Sequence, residues 1–471
     1  MVIRPYRRTP DPPTVAHLAT IDPEAGTYRI VDEHGAVLDP DQWPDGTRAW
    51  CSFDTARALV TAGAGEAICW KGEEIRWRHG RLDREGWRNR PSDVHVLRLP
   101  LDELPPADVL RGLARWRDWL AEYGAAPAGS SGSAAWSLLR ATLDDELRTG
   151  EPFHACPPLL STLGGRQLVG PAGPGRFEGR LELVDMPSAY ASELGAIPYG
   201  GRWLTAGRLE LDRSLEWWAA ENRPVYVRAR VRIPDLDHGP LPRRPRKRVD
   251  PYLAMGLGAE FPVDTTLQGF WTLAELEAAE RAGGRVLEVL EIWSHFAGGR
   301  QPFQAWWAAI QQGREQRGLA GVLAKLTGNA LWGRLCMDGR TGRRTIRGRD
   351  RRGLVNRSLP FIGGQPPAHD LAETISGRIR ARLYDGVRQL DGRLLSAHTD
   401  GAWIVGDGPA PEGWRVKADA KRLDLLGPQT LRYTPRRGRH AGDPVAVVAG
   451  VTYAQAAESF ERQWAAAGMP T

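Results

Sequence analysis

The sequence predicts an α+β protein of more than one domain. Residues 225–233 alternate without a break, which is the period of a strand. Residues 396–405 set Asp400-Gly401 between two apolar runs, the pattern of a β-hairpin in which Gly supplies a positive φ. Residues 107–122 instead space Val109, Leu110, Leu113, Trp116, Trp119 and Leu120 along one face of an amphipathic helix. At 471 residues the chain is too long for one simple core.

The remaining elements follow in chain order. Residues 15–21 and 28–31 read as strands, and 124–134, rich in Gly, Ala and Ser, as a loop or linker. Residues 179–184 form a short alternating strand that ends on Asp185. Within 225–233, Val225, Val227, Ala229, Val231 and Ile233 share one face. Tyr226, Arg228, Arg230 and Arg232 share the other, which predicts a basic outer face. Thr272 and Glu275 make a capping box that opens a helix, and Gly283-Gly284 stops it. Residues 286–293 read as strand, 315–336 and 370–388 as helices, and 340–352 as an arginine cluster. No internal repeat is present.

Composition excludes several classes. Hydrophobic residues make up 42% and charged residues 25%, as in a soluble globular protein. No stretch approaches the roughly 20 apolar residues of a membrane span, and the N-terminus lacks the apolar core of a signal peptide. The four cysteines are scattered with no C-x-x-C pair, so neither a zinc site nor a disulfide framework is expected. A reducing, cytoplasmic location follows by default. The net charge of +6 favours a polyanionic partner. Only five of the 63 basic residues are lysines (Lys71, Lys247, Lys325, Lys417 and Lys421), so each is worth inspecting.

Two carboxylates carried to one sheet edge by separate strands are a minimal scaffold for metal-assisted phosphoryl transfer. Asp185 and Asp400 fit that description, and the Met186 carbonyl could add a ligand. Mg²⁺ takes hard oxygen ligands and keeps several waters, so few protein ligands suffice. Taken alone, each aspartate reads as an ordinary cap or turn residue. Their meaning comes from three segments in order: Asp185-x-x-Ser188-x-Tyr190, Lys325-x-x-x-Asn329-x-x-Trp332-Gly333, and His398-Thr399-Asp400. On a helix, Lys325, Asn329 and Trp332 share one face.

Together these segments resemble motifs A, B and C of the family B DNA polymerases, with separations that suit the protein-primed phage and plasmid branch. The resemblance runs from about Leu159 to Thr452. It implies a right-hand fold: a palm of antiparallel sheet plus helices, helical fingers, a short thumb and an N-terminal α/β exonuclease-like remnant. The expected domains are 1–125 (degenerate exonuclease-like), 126–200 (linker and palm), 201–285 (palm-associated insertion), 286–336 (fingers), 337–368 (arginine-rich insertion), 369–435 (palm) and 436–471 (thumb).

The resemblance also implies roles. Asp185 and Asp400 would be catalytic and, with Met186, would hold two Mg²⁺ ions, with Mn²⁺ as an alternative. Lys325, Asn329, Ser188 and Trp332 would line the nucleotide site, and Tyr190 would exclude a ribose 2′-OH. Arg314 would add a triphosphate contact on the same helix face as Lys325, with Arg317 as its competitor. Gly165-Arg166, Arg432-Tyr433 and Arg343-Arg344 would touch DNA. The implied partners are primer-template DNA and dNTPs, with room for a priming protein or processivity partner and with no membrane.

Three departures stand out. His398 replaces the first aspartate of motif C, Trp332 replaces a tyrosine, and Arg432-Tyr433 lacks the expected lysine. Asp22-Pro23-Glu24 and Asp54 resemble two exonuclease motifs without a third, which implies synthesis without proofreading. The rival expectation is a palm-fold nucleic-acid-binding protein with weakened catalysis. A two-metal nuclease would leave Lys325, Asn329 and Trp332 without a role.

Overall fold

A computed structural model gives the fold. It describes residues 104–125, 131–148, 167–205, 217–218, 224–243, 260–296, 300–335, 343–350, 353–360, 368–390, 392–406, 408–438, 440–448 and 453–469, with residues 5 and 36 and the strands before residue 100. Those early strands are β1 (Val2–Ile3), β2 (His17–Ile21), β3 (Tyr28–Asp32), β4 (Val37–Leu38), β5 (Ala49–Ser52), β6 (Ile68–Trp70), β7 (Glu73–Arg78), β8 (Arg81–Arg84) and β9 (Val94–Leu97). Helices α1 (Pro106–Glu122) and α2 (Ser131–Thr142) follow, so the expected linker gives way to helix from Ser131.

The middle of the chain holds β10 (Leu147–Arg148), β11 (Gln167–Val169), β12 (Gly175–Asp185), α3 (Ala189–Ala196), β13 (Arg202–Thr205) and β14 (Val225–Ile233). After these come β15 (Thr265–Thr272), α4 (Leu273–Arg281), β16 (Arg285–Phe296), α5 (Gln304–Glu315) and α6 (Leu319–Leu335). The last part comprises β17 (Arg343–Asp350), β18 (Gly353–Pro360), α7 (His369–Arg388), β19 (Leu394–His398), β20 (Gly401–Val405), β21 (Arg415–Gly427), β22 (Thr430–Pro435), β23 (Val445–Val448) and α8 (Tyr453–Ala466).

The chain divides into two compact units. One comprises residues 4–146 and 305–331, and the other residues 1–3, 147–304 and 332–471. In the 4–146/305–331 unit, a five-stranded sheet runs β4-β3-β2-β5-β9. Its β4-β3-β2 part is antiparallel, whereas β5 and β9 add in parallel. A separate sheet has the order β6-β7-β8. Helix α1 buries the face read from its spacing, including Trp116 and Trp119. Trp116 Nε1 donates to Thr327 Oγ1 of α6 at 3.2 Å. Gly112 lets the two helices meet, because a Cβ there would lie 2.5 Å from Leu319 Cβ. The helix expected over 315–336 is α6, which runs from Leu319 to Leu335; it does not continue back to Arg314, because a separate helix, α5, ends at Glu315. The chain turns between them at Gly318, whose φ is 70°. Arg314 therefore sits on α5, not on the Lys325 helix.

The larger unit contains two antiparallel sheets that carry most of its core. The seven-stranded sheet runs β11-β19-β20-β12-β21-β22-β23, and the four-stranded sheet runs β13-β16-β14-β15. Helix α7 packs against α3, α4, β15 and β19, and α8 packs against β22 and β23. The capping box forms as expected: Glu275 Oε2 accepts from Thr272 N at 3.0 Å and from Thr272 Oγ1 at 2.8 Å. Glu275 Oε1 then accepts from Arg380 Nε of α7 at 2.7 Å, and Arg380 Nη2 reaches Glu373 Oε1 at 2.5 Å. All three side chains are buried, a charge triad that ties α4 to α7.

The arginine-bearing outer face expected on β14 forms, with Arg228, Arg230 and Arg232 exposed, but acids beside it offset its charge and Tyr226 is not part of it. Arg228 and Arg230 pair with Glu291 and Glu288 of β16, and Arg232 pairs with Asp264. Tyr226, expected on that face, is buried, and its hydroxyl lies 2.8 Å from Thr374 Oγ1. Arginines spaced along a strand can be neutralised by acids on the next strand, and sequence alternation cannot reveal that pairing. No helix among the described residues is long and apolar enough to cross a membrane.

Candidate active site

Strand β12 lies between β20 and β21, and all three run antiparallel. Its last residue, Asp185, pairs with Gly401, the first residue of β20. One residue on, Met186 N donates to Asp400 O at 2.8 Å. Both aspartates therefore stand at the same end of neighbouring strands, joined through the backbone. The hairpin tip differs from the sequence reading in one respect. The left-handed residue is Thr399, with φ of 60°, not Gly401. Gly401 is required for another reason: a Cβ there would lie 2.9 Å from Val184 O and 3.4 Å from Asp185 Cβ. The glycine lets β20 close against β12 beside the carboxylate.

Asp185 is buried and sits between two cations. Its Oδ1 lies 3.4 Å from Arg415 Nε, and its Oδ2 lies 3.2 Å from Lys417 Nζ. Arg415 stands opposite Asp185 in the ladder, and β21 bulges just beyond it. Val184 pairs with Val416 and Leu183 with Ala418, which leaves Lys417 as the extra residue. Arg415 and Lys417 were not anticipated as site residues. The available signal was the rarity of lysine and the run Arg-Val-Lys-Ala-Asp at 415–419.

His398 is half-buried at the end of β19. Burial pushes its pKa down to about 4, so the ring is neutral at pH 7. Its Nε2 lies 3.0 Å from Thr399 Oγ1 and also meets the Gln429 amide nitrogen. Compared with an aspartate, His398 removes a negative charge beside the site without adding a positive one.

Ser188 takes a left-handed φ of 55° and starts α3. Tyr190, in the first turn, is half-buried with its ring 5.0 Å from that of Trp332. Trp332 Nε1 donates to Ser376 Oγ at 3.0 Å and Ala372 O at 3.3 Å. Tyr190 is thus braced by an indole that α7 holds in place. Lys325 and Asn329 lie on α6 within the 4–146/305–331 unit, half-buried and exposed respectively.

Arg432 and Tyr433 are engaged within the fold. Arg432 Nη2 meets Asp424 Oδ2 at 2.7 Å, Nη1 meets Glu461 of α8, and the guanidinium stands 5.1 Å above the Phe460 ring. Tyr433 packs against Trp403 at 5.0 Å. Asp22, Glu24, Asp54, Gly165 and Arg166 lie outside the described residues. Arg343 and Arg344 open β17, which pairs antiparallel with β18 as a hairpin. Their side chains are outside the described set.

The donor set at the two strand ends is all oxygen: two carboxylates and the Met186 carbonyl. It fits a hard divalent cation that keeps most of its waters. Among the described residues no group of three or more His, Cys, Asp or Glu gathers, so a closed protein cage for a metal is not present there.

No protein-family model and no curated protein matches the chain. Solved structures do. The chain has the fold of a DNA polymerase. It is similar to Phi29 DNA polymerase complexed with primer-template DNA and incoming nucleotide substrates. That match has a TM-score of 0.56 and 12% identity, covering 96% of this chain and 94% of that one. It is likewise similar to the binary complex of Phi29 DNA polymerase with primer-template DNA, with a TM-score of 0.54, 14% identity, and coverage of 95% and 94%. Phi29 DNA polymerase complexed with single-stranded DNA matches with a TM-score of 0.52.

Proposed function

We propose that the chain is a template-directed DNA polymerase that adds dNTPs to a primer 3′-OH without proofreading. The observation that carries this reading is the backbone-linked pair Asp185 and Asp400 at one end of a sheet, in a fold similar to that of Phi29 DNA polymerase. Asp185, Asp400 and the Met186 carbonyl would hold Mg²⁺, two ions in the full reading, with Mn²⁺ as an alternative. When bound, the metal would act as a Lewis acid that stabilises the negative charge developing on the phosphate. Lys325 would place a point charge on the triphosphate. Tyr190, fixed by Trp332, would block a ribose 2′-OH. Asn329 and Ser188 would complete the nucleotide pocket, with Arg314 a contact from α5. Gly165-Arg166, Arg343-Arg344, Arg432 and Tyr433 would serve DNA. The 3′-OH attacks the α-phosphate, and pyrophosphate leaves.

In this reading the seven-stranded sheet, apart from its edge strand β23, forms the palm together with α7, within 126–200 and 369–435. Residues 286–336 are fingers, 201–285 and 337–368 insertions, and 436–471 a short thumb that includes α8. Residues 1–125 are a reduced exonuclease-like domain, supported by a sheet that mixes three antiparallel strands with two parallel ones. The reading places the protein in the cytoplasm of a bacterial, phage or plasmid setting, with primer-template DNA and a priming protein or processivity partner.

A second reading, a nucleic-acid-binding protein on a weakened palm, is favoured by one observation: Arg415 and Lys417 occupy both oxygens of Asp185. Primer extension separates the two. Purified protein is given a primed template, Mg²⁺ or Mn²⁺, and dNTPs or rNTPs, beside an Asp400→Asn control. Extension with dNTPs that the control abolishes is the expected result. DNA binding with no extension under either metal overturns the polymerase in favour of the binding protein.

A further inference from the structure

A basic cleft of about 640 Å³ opens on the larger unit, away from the strand ends just described. Its charged lining is Arg180 of β12, Asp419 and Lys421 of β21, and Arg436 and Arg437 of the turn after β22. The strand register fixes which face of the sheet it occupies. From Leu181↔Val405 to Asp185↔Gly401 the β12–β20 pairing is unbroken, so side chains alternate strictly. Leu181, Leu183 and Asp185 share one face, and Leu181 and Leu183 join the Trp403 core cluster there. Glu182 is on the other face. Arg180 donates to Glu182 Oε1 at 3.0 Å and 3.2 Å, and Asp419 pairs across the ladder with Glu182. The cleft therefore belongs to the face opposite Asp185. Arg180 lies five residues back along the strand, about 17 Å at ~3.3 Å per residue.

Four cations and one carboxylate line the cleft, and Arg180 is already paired with Glu182 beside it. Asp419 is held by Arg436 at 3.4 Å and by Arg437 at 4.0 Å. Arg436 also donates to Ala420 O at 3.2 Å and Gly179 O at 2.6 Å, which anchors the turn and the cleft wall. Arg437 is 89% exposed, so its one long contact to Asp419 leaves most of the guanidinium to solvent. Lys421 is exposed and has no ion pair or hydrogen bond among the described residues. Among the described residues no aromatic side chain lines the cleft. A site that stacks bases needs aromatic faces, and a site that holds phosphate needs only placed cations and donors.

We propose that this cleft binds the phosphodiester backbone of a nucleic-acid strand, without reading its sequence, outside the Asp185–Asp400 site. The exposed Lys421 and Arg437 make the phosphate contacts, and Arg436, fixed by backbone carbonyls, shapes the wall they stand on. Binding here does not depend on catalysis at Asp185.

The test is oligothymidine binding by fluorescence anisotropy across a KCl series, in EDTA and without nucleotides. It stays readable whichever way primer extension comes out. Wild type is compared with Lys421→Ala/Arg437→Ala. The expected result is roughly 10-fold weaker binding at low salt, and a salt slope shallower by about 1.4, near 0.7 per lost phosphate contact. The single Lys421→Ala variant touches no described partner and keeps the fold; its slope should fall by about 0.7. Unchanged affinity and slope in both variants overturn the proposal. Inorganic tripolyphosphate is the second arm. If it binds wild type but not the double variant while oligothymidine binds both alike, the cleft takes free anions and the strand assignment falls.

Discussion

Arg380→Met tests the best-defined electrostatic feature of the larger unit. Arg380 is 1% exposed at its side chain, Glu275 1% and Glu373 3%, so the change leaves two carboxylates in the interior with their shared cation removed. Glu275 keeps its capping-box bonds from Thr272, whereas the Arg380 contact to Glu373 Oε1 is lost outright. Removing one partner of a buried ion pair costs about 3–5 kcal/mol. With an m-value of about 3 kcal/mol per M in urea, the unfolding midpoint should fall by about 1–1.7 M. Tryptophan fluorescence follows the transition, since buried Trp203, Trp271 and Trp403 report on this unit. Arg380→Met/Glu275→Gln/Glu373→Gln removes all three charges together and should recover much of the loss. A single variant whose stability stays within about 1 kcal/mol of wild type would refute the argument that the triad is a dry, mutually dependent unit.

Three further outcomes are expected. His295 is stacked on Tyr199 at 4.4 Å, and burial lowers its pKa from 6.5 to about 4. A base that is neutral when folded and protonated when unfolded adds stability fully present above pH 6.5 and lost as pH falls through about 4, worth roughly 3 kcal/mol. His295→Phe should flatten that part of the stability–pH curve, and an unchanged slope in urea melts would contradict it. Gly401→Ala forces a Cβ to 2.9 Å from Val184 O, so the hairpin must shift. Melting should show a loss of about 1–3 kcal/mol, and primer extension should fall along with it. Lys417→Ala removes a cation 3.2 Å from Asp185 Oδ2. Mn²⁺ binding followed by electron paramagnetic resonance should tighten about 5-fold, matching ~1 kcal/mol for a charge near 4 Å in water. Weaker binding would mean that Lys417 orients the carboxylate rather than competing for it.

Local devices were legible in the sequence. The Thr272–Glu275 box, the α1 face and the hairpin around Asp400 each depend on residues within a few positions of one another. Non-local pairings were not legible. The acids opposite Arg228 and Arg230 lie on β16, and the order β4-β3-β2-β5-β9 depends on parallel pairings of strands far apart in the chain. The break at Gly318 follows a polar stretch, Arg314 to Arg317, where no hydrophobic period marks whether a helix continues. At the site, Asp185, Met186 and Asp400 come together as their strand ends predicted. Arg415 and Lys417 stayed hidden because they reach Asp185 across a ladder between β12 and β21, strands about 230 residues apart in the chain.

The Met186–Asp400 bond joins the two carboxylates through atoms that every residue possesses. Scaffold and chemistry can therefore change separately over descent. A side chain such as that at 398 can drift from acid to imidazole while the hairpin keeps its position. The charge at the tip can then change by single substitutions, with no refolding of the sheet beneath it. Gly401 is the exception. Its replacement alters the scaffold itself, so it should resist drift longer than the charges around it.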